Sequence, residues 1–177
     1  MNRESHLVQL VDDAGVEIKH STVEDAHRSP NGRLHRAFSI LLADPEGRLL
    51  LQRRSASKTR FPLRWANTCC GHPAPGVAVP EAAATRLAEE LGIHGVDLTE
   101  VGVHRYRADD PTTGRIEHEY DHVLLGQVPA TIEAKPDPAE VAEVRWVAPG
   151  ELRVALRTAP DTYAPWLVGV LALLPEA

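Results

Sequence analysis

The sequence predicts one α/β (α+β) domain that spans residues 1–177 and has helices on both sides of a mixed sheet. Three observations favour this fold. Apolar runs of strand length, such as residues 35–43 and 117–128, are separated by turn signals rich in proline, glycine and aspartate. A strong helix signal, PEAAATRLAEEL, occupies residues 80–91 between those runs. The length of 177 residues is ordinary for one domain.

The order of the elements follows from the same signals. Strands are predicted at residues 6–11, 35–43, 48–54, 98–107, 117–128 and 141–147, and helices at 21–27, 80–91, 149–157 and 163–174. The first strand, HLVQLV, ends at the turn DDAG, and Ser21 or Thr22 can start the short helix that follows. We expect six or seven strands in total.

The central elements have clearer boundaries. The turn DPEG joins the strands at 35–43 and 48–54 into a predicted hairpin. Residues 55–64 and the segment WANTCCGHPAPG after them are expected to be loops. The helix after these loops has Pro80 in its first turn and Gly92 just beyond its end, which are typical start and stop signals.

The composition is that of a soluble globular protein and excludes intrinsic disorder, collagen and disulfide-rich scaffolds. Hydrophobic residues make up 43% of the chain and charged residues 25%. With 19 basic and 25 acidic residues, the net charge of −6 argues against nucleic acid or an anionic membrane as a partner. The acidic surface also permits a monomer, which is the state we expect.

The two cysteines, Cys69 and Cys70, are adjacent, and a bridge between neighbours would close a strained ring. Two free thiols favour a reducing compartment. The N-terminal residues contain no apolar run of signal-peptide length. The apolar run Trp166–Leu174 is shorter than the ~20 residues that a membrane span needs. A cytoplasmic location is therefore expected.

Acidic residues alternate along the strand predicted at 117–128. Side chains two apart in a strand face the same side, so Glu117 and Glu119 lie together, with Asp121 beyond them. Carboxylates this near repel each other unless a cation lies between them. The spacing alone supports a metal site and a solvated strand face equally well.

Three histidines lie in predicted loops or at the start of a strand: His27, His35 and His72. Neutral imidazole is the commonest nitrogen ligand for first-row divalent metals. Three imidazoles with two carboxylates would suit Mn, Fe or Zn better than Mg, which prefers oxygen ligands. Ordinary surface histidines are the alternative, because these residues are far apart in the sequence.

The segment Cys70-Gly71-His72-Pro73 places a thiol beside a candidate metal ligand. Cys70 is a candidate acid or base, because an unperturbed thiol has a pKa of about 8.5. A buried, inert thiol is the alternative, and it is the role expected for Cys69.

Five cations between residues 53 and 64 suggest an anion site in an otherwise acidic chain. They are Arg53, Arg54, Lys58, Arg60 and Arg64. Arginine can hold a phosphate group through two parallel hydrogen bonds, although a solvated loop would have the same composition. On the predicted helix, Arg86 and Glu90 are spaced for a surface ion pair. Alternatively, one of the helix acids faces inward and binds a cation.

Taken together, these segments resemble the type I isopentenyl-diphosphate isomerases from about residue 6 to residue 170. The matching segments are LHRAFSILL, LLLQRRSASK, WANTCCGHPAPG, EELG, RYRADD, EHEYDHVLLG and YAPW. A CGHP segment after a WxN motif, combined with a later ExE motif, is specific to that family. The resemblance implies a Nudix-type α/β/α sandwich with a mixed sheet.

The resemblance also implies a role for each matching residue. The family's ligands for one divalent metal (Mn, Mg or Zn) correspond to His27, His35, His72, Glu117 and Glu119. Its catalytic cysteine and glutamate correspond to Cys70 and Glu119, and the aromatic residues at the hydrocarbon end correspond to Tyr106 and Trp166. Its diphosphate contacts correspond to Arg53 and Lys58, and an acid that helps to hold Mg on the diphosphate corresponds to Glu90.

The implied reaction interconverts isopentenyl diphosphate and dimethylallyl diphosphate, a step of isoprenoid biosynthesis on a small prenyl diphosphate substrate. Moving the double bond requires a proton to be added at one carbon and removed from another, which calls for two acid–base groups such as Cys70 and Glu119. A tertiary carbocation forms between these steps. An indole ring such as that of Trp166 can stabilise a desolvated cation by ~2 kcal/mol.

Two other functions are weighed against this one. A Nudix hydrolase of a nucleoside diphosphate derivative would share the fold, but the acidic hydrolase motif is degenerate here. Val77 stands where its first glutamate is expected and Thr85-Arg86 where its Arg-Glu pair is expected, and Glu89 and Glu90 remain. A metal-binding module without catalytic activity is the third hypothesis.

Overall fold

The computed structural model describes residues 3–175. Its strands are β1 (Leu7–Val11), β2 (Glu17–Thr22), β3 (His35–Ala43), β4 (Leu49–Arg54), β5 (Trp65–Ala66), β6 (Cys69–Gly71), β7 (Leu98–Asp109), β8 (Ile116–Gln127) and β9 (Val141–Val147). Its α-helices are α1 (Val23–Ala26), α2 (Val79–Leu91), α3 (Pro149–Thr158) and α4 (Leu167–Ala172), and 3₁₀ turns occupy Arg3–Ser5 and Pro160–Thr162.

Strand β3 is the centre of the sheet. Along one edge it runs parallel to β8, with His35 opposite Glu119. Along its other edge it pairs in turn with β1, β6 and β4, all antiparallel. The sheet continues from β8 to β7, from β4 to β5 and β9, and from β1 to β2. This combination of parallel and antiparallel pairs confirms the predicted mixed sheet.

Helices cover both faces of the sheet. Leu41 of β3 packs in a core with residues of α3 and α4, whereas its neighbours Ile40 and Leu42 pack in a second core with α2. Successive residues of a strand face opposite sides, so one strand contributes to two hydrophobic layers. The arrangement is the predicted α/β/α sandwich.

The helix predictions are confirmed in position, with different lengths. Helix α2 has Pro80 in its first turn and ends at Gly92, whose φ of +64° lies in the left-handed region that glycine adopts readily. The hydroxyl of Thr22 accepts a hydrogen bond from the backbone N–H of Asp25 at 3.2 Å and so caps α1. Helix α4 is shorter than the predicted 163–174, because Tyr163 is extended (φ −112°, ψ 155°) and forms a parallel bridge with Trp65.

The number of strands was underestimated, since residues 3–175 contain nine rather than six or seven. Strand β2 was missed because its sequence, EIKHST, is polar and mostly exposed at the sheet edge. Strands β5 and β6 lie in the segments predicted as loops, and pairing with β4 and β3 holds them extended. The predicted hairpin of β3 and β4 pairs at only two positions next to its turn before the strands diverge.

No helix within residues 3–175 combines the length and the apolar character needed to cross a membrane.

Candidate active site and metal centre

A cavity of about 590 Å³ brings together most of the predicted site residues. Its lining includes Lys58, Cys70, His72, Tyr106, Glu117, Glu119 and Trp166. Three further predicted residues lie behind this lining, in contact with it: His27 contacts Glu117, His35 approaches Glu119, and Glu90 contacts Lys58.

One end of the cavity holds a group of five candidate metal ligands. They are His27, His35, His72, Glu117 and Glu119, and their ligand atoms all lie within 4.8 Å of one another. His27 follows α1, His72 follows β6, and the two glutamates share one face of β8. The parallel pairing of β3 with β8 sets His35 directly opposite Glu119.

Backbone carbonyls orient two of the imidazoles. Nδ1 of His27 lies 2.7 Å from the carbonyl oxygen of Val23, and Nδ1 of His35 lies 2.7 Å from that of Arg33. A carbonyl only accepts, so each Nδ1 carries a hydrogen, and Nε2 is the nitrogen that faces the group and is left to bind a metal ion.

Nε2 of each of the three imidazoles faces a carboxylate of the group. Nε2 of His27 lies 2.9 Å from a Glu117 oxygen, and Nε2 of His72 lies 3.0 Å from a Glu119 oxygen. Nε2 of His35 is buried without a hydrogen-bond partner, 3.7 Å from Glu119. Three nitrogen and two carboxylate ligands therefore fit a first-row divalent metal ion.

The ionisation states agree with that fit. Burial lowers the pKa of His27 and lowers that of His72 to about 4, so both imidazoles are neutral near pH 7, as metal ligands must be. Burial alone would raise the pKa of Glu119, but His35 and His72 beside it hold the pKa well below its ordinary value. Burial and the charge of Glu119 raise the pKa of Asp121, which keeps a third negative charge out of the group.

Cys70 and Cys69 face opposite sides of β6. Cys70 lines the cavity, and its Sγ lies 3.1 Å from the side-chain oxygen of Asn67. Burial raises the pKa of Cys70 to about 12, so the thiol form predominates. Cys69 is fully buried on the α2 side, with its Sγ 3.4 Å from a Glu90 oxygen. Neither cysteine forms a disulfide.

An aromatic wall lies beside Glu119. The hydroxyl of Tyr106 donates to Glu119 at 2.7 Å, and burial raises the pKa of Tyr106, so this donor stays protonated. The Tyr106 ring centre is 5.8 Å from that of Trp166, and Phe61 packs edge-on against Trp166 at 5.5 Å. The Arg54 guanidinium lies 5.4 Å from the centre of the same indole ring.

The other end of the cavity is a network of charges. Lys58 and Arg86 each contact both Glu90 and Glu140. Burial would raise the pKa of Glu140, but Lys58 and Arg86 lower it to about 2. Arg86 is buried within this network and is not the surface residue that its helical spacing suggested. Glu140 was missed, because nothing near it in the sequence marks it as part of a site.

Arg53 is not part of the cavity. It lines a separate surface depression, where its Nε donates to the carbonyl of Leu63 at 3.2 Å. Arg54, the next residue of β4, lines the cavity. The two neighbouring arginines therefore line different depressions, because successive side chains of a strand face opposite sides.

Comparison with known proteins agrees with this geometry. The model of the NUDIX domain matches residues 33–168. An isopentenyl-diphosphate Delta-isomerase of Nocardia farcinica is 61% identical over 170 residues, which cover 96% of this chain and 95% of the relative. The chain belongs to the isopentenyl-diphosphate Delta-isomerase family.

Other members of the family are more distant and still match over nearly all of this chain. The isomerase of Streptomyces coelicolor is 48% identical and covers 95% of this chain, with 83% of the relative matched. That of Halorhodospira halophila is 41% identical, over 97% of this chain and 96% of the relative.

Solved structures show the same fold at low identity. A Deinococcus radiodurans protein superimposes with a TM-score of 0.73 at 16% identity, over 96% of this chain and all of that one. A MutT NUDIX hydrolase of Burkholderia pseudomallei superimposes with a TM-score of 0.61 at 20% identity, over 80% of this chain and 98% of that one. The NUDIX fold is therefore common to this isomerase family and to hydrolases.

Proposed function

We propose that this protein interconverts isopentenyl diphosphate and dimethylallyl diphosphate and so serves isoprenoid biosynthesis. The observation that carries the proposal is one cavity that is lined by a thiol, Cys70, a carboxylate, Glu119, aromatic rings and a cluster of cations. The activity for which a relative 61% identical to this chain is named, that of an isopentenyl-diphosphate Delta-isomerase, supports the same reaction.

The two acid–base groups fit the chemistry of moving a double bond. One proton is added at one end of the allylic unit and another is removed at the other end, which leaves the formula unchanged. Cys70 holds a proton on sulfur, and Glu119 is an ionised carboxylate in contact with the Tyr106 hydroxyl. Each group can therefore exchange a proton with a carbon atom of the substrate, and no further acid or base is required.

The aromatic wall supports the charged intermediate. A tertiary carbocation has no hydrogen-bond donors, so its stabilisation must come from π faces and nearby negative charge. Trp166 and Tyr106 line the cavity with their rings, and Trp166 is only 2% exposed. Exclusion of water also prevents capture of the cation as an alcohol.

The charged part of the cavity suits the diphosphate. Lys58 and Arg86 lie there, and Arg54 lines the same cavity next to Trp166. Arginine holds phosphate oxygens through paired hydrogen bonds. We place the diphosphate against these three cations. Glu90 contacts both Lys58 and Arg86, so it is positioned to help hold a Mg ion that accompanies the diphosphate.

The five-residue group would hold a second divalent metal, with Mn or Zn better suited than Mg to its three nitrogen ligands. Such an ion, when bound, supplies positive charge that stabilises the ionised form of Glu119. His27 and His35 have their Nε2 atoms aimed at the group by their backbone contacts, and the chain therefore presents the ligands before any ion binds.

We further propose that residues 1–177 form one isomerase domain that acts as a monomer in the cytoplasm without nucleic acid or membrane partners. Two unbridged thiols and the net charge of −6 support this setting. Light scattering of the purified protein at several concentrations tests the monomer, and a mass of twice 19.4 kDa would contradict it.

Proton NMR in D₂O tests the reaction. Isopentenyl diphosphate is incubated with folded, metal-loaded protein, and formation of the dimethylallyl isomer with incorporated deuterium is expected. Cys70→Ala should abolish it, whereas Cys69→Ala, on the opposite side of β6, is the matched control that should retain it. Absence of isomer with the unaltered protein would overturn the proposal. Hydrolysis of nucleoside diphosphate derivatives would then indicate a hydrolase.

A further inference from the structure

Asn67 joins two parts of the cavity that are distant in sequence. It is fully buried between β5 and β6. Its Oδ1 accepts from Sγ of Cys70 at 3.1 Å and from Nε1 of Trp166, 99 positions away, at 3.0 Å. Its Nδ2 donates to the backbone carbonyls of Ile40 at 3.2 Å and Cys69 at 2.8 Å.

These partners determine the orientation of the amide. Two carbonyls can only accept, so they must face the NH₂ group of Asn67, and the indole N–H of Trp166 can only donate, so it must face the oxygen. Both donors and both acceptor positions of the Asn67 amide are then in use. The Cys70 thiol consequently donates to an oxygen of an amide that three other atoms hold in place, the carbonyl oxygens of Ile40 and Cys69 and Nε1 of Trp166.

No other hydrogen-bond contact competes strongly for this thiol. The hydroxyl of Ser39 lies 3.8 Å from Sγ of Cys70, and Ser39 already donates to Asp121 at 2.8 Å. A contact of 3.8 Å is weaker than one of 3.1 Å. Asn67 is therefore the principal polar neighbour of the sulfur within residues 3–175.

We propose that Asn67 is a positioning residue that sets both the position of the Cys70 sulfur and the tilt of the Trp166 ring through one oxygen atom. The inference rests on the proposed function, in which the thiol exchanges a proton with carbon and the indole face stabilises the cation. Proton transfer to carbon is sensitive to placement, and an error of about 1 Å can cost ~10²-fold in rate.

The first test separates turnover from substrate binding. Asn67→Ala should lower kcat by ~10²-fold and leave KM within about twofold, because the cations that hold the diphosphate do not contact Asn67. Circular dichroism and metal content verify that the variant is folded and loaded. A folded Asn67→Ala protein whose kcat lies within about threefold of the unaltered enzyme would overturn the proposal.

The second test measures the coupling without turnover. Iodoacetamide alkylates Cys70 in the folded protein, and peptide mass spectrometry distinguishes it from the buried Cys69. Trp166→Phe removes the indole N–H and should change the alkylation rate at least threefold, although Trp166 does not hydrogen-bond to the sulfur. That effect should disappear when Asn67→Ala is also present, as a double-mutant cycle requires for coupled residues.

Further variants keep the two tests decisive. Asn67→Asp keeps an acceptor oxygen at the position of Oδ1 and replaces only the NH₂ group, so the effect of Trp166→Phe should persist in it, and this comparison remains available if Asn67→Ala does not fold. Tyr106→Phe, which changes the contact with Glu119, should leave the coupling intact. If Trp166→Phe changes the alkylation rate of Cys70 equally with and without the Asn67 side chain, the inference is overturned. The NMR assay of the unaltered protein decides the proposed function separately.

Discussion

Glu119 and Cys70 line the same cavity, yet their surroundings favour opposite protonation states. Glu119 faces His35, His72 and the Tyr106 hydroxyl, and its pKa lies well below the ordinary value in spite of burial. Cys70 faces an amide oxygen and apolar side chains, and burial raises its pKa to about 12.

The difference shows that position within the cavity sets the direction in which the pKa of each group departs from its ordinary value. Both side chains are withdrawn from water, which disfavours a negative charge on either. Hydrogen-bond donors and imidazoles around Glu119 outweigh that penalty. Around Cys70, the guanidinium of Arg54 lowers the pKa but does not outweigh burial.

Replacement of either group should have the largest effect, and metal content should distinguish the two. Cys70→Ala and Glu119→Gln should each lower kcat by ~10⁴-fold, since each removes a group that exchanges a proton with the substrate. Elemental analysis of the purified variants should show that Cys70→Ala retains the metal and that Glu119→Gln loses much of it. Full metal content in Glu119→Gln would contradict the proposed ligand set.

Acid should destabilise the metal-free protein, because His72, which contacts Glu119, takes up a proton more readily in the unfolded chain. Burial places the folded-state pKa of His72 at about 4, below its ordinary 6.5, so the unfolded chain takes up this proton first as the pH falls. The contribution of His72 is fully present above pH 6.5 and decreases by roughly 3 kcal/mol as the pH falls to 4.

Urea unfolding between pH 4 and pH 7 measures this loss. His72→Asn is the matched control, because it removes the titrating group and should flatten the pH dependence over that interval. An unchanged slope in His72→Asn would assign the acid sensitivity to another residue.

Loss of one donor to Glu119 should have an intermediate effect. Tyr106→Phe removes the hydrogen bond to the carboxylate and should lower kcat about 30-fold, in line with a hydrogen bond to a charged group. The Glu119 limb of the pH–rate profile should move to higher pH, because the ionised carboxylate loses a donor. Tyr163→Phe is the control, since the Tyr163 hydroxyl contacts Arg145 and lies outside the cavity.

Replacement of the neighbouring arginines of β4 should have the smallest effect, and it tests the surroundings of Cys70. The Arg54 guanidinium lies over Trp166, and its charge lowers the pKa of Cys70. Arg54→Ala removes this cation, and kcat/KM should fall about tenfold. Arg53→Ala should change kcat/KM less than about twofold, because Arg53 faces another depression. Equal losses in steady-state assays of the two variants would show that Arg53 also contacts the substrate.

Much of the fold was predictable because it depends on local patterns. Helix α2 has Pro80 in its first turn and ends at Gly92, as these start and stop signals predict. The long strands around residues 35–43 and 117–128 are apolar enough to be recognised. Strand β2 could not be recognised, because its polar residues lie at an exposed edge and only pairing with β1 makes it a strand.

The candidate site was predictable in part. Alternation along β8 placed Glu117 and Glu119 on one side without any knowledge of the fold. Asn67 was missed, because the sequence marks it only as part of the WxN motif and does not reveal its contact with Trp166. The spacing of Arg86 and Glu90 allows either a surface ion pair or an inward-facing acid, and it does not reveal that Glu140 packs beside Arg86.

The sequence by itself determined the chemical types available and which of them share a face of a strand, because side-chain alternation is a property of the local backbone. Only the tertiary structure decided that His27, His35 and His72 converge, that Arg54 and not Arg53 enters the cavity, and that one oxygen of Asn67 serves both Cys70 and Trp166. These outcomes depend on strand register and burial, which arise from the packing of residues far apart in the chain.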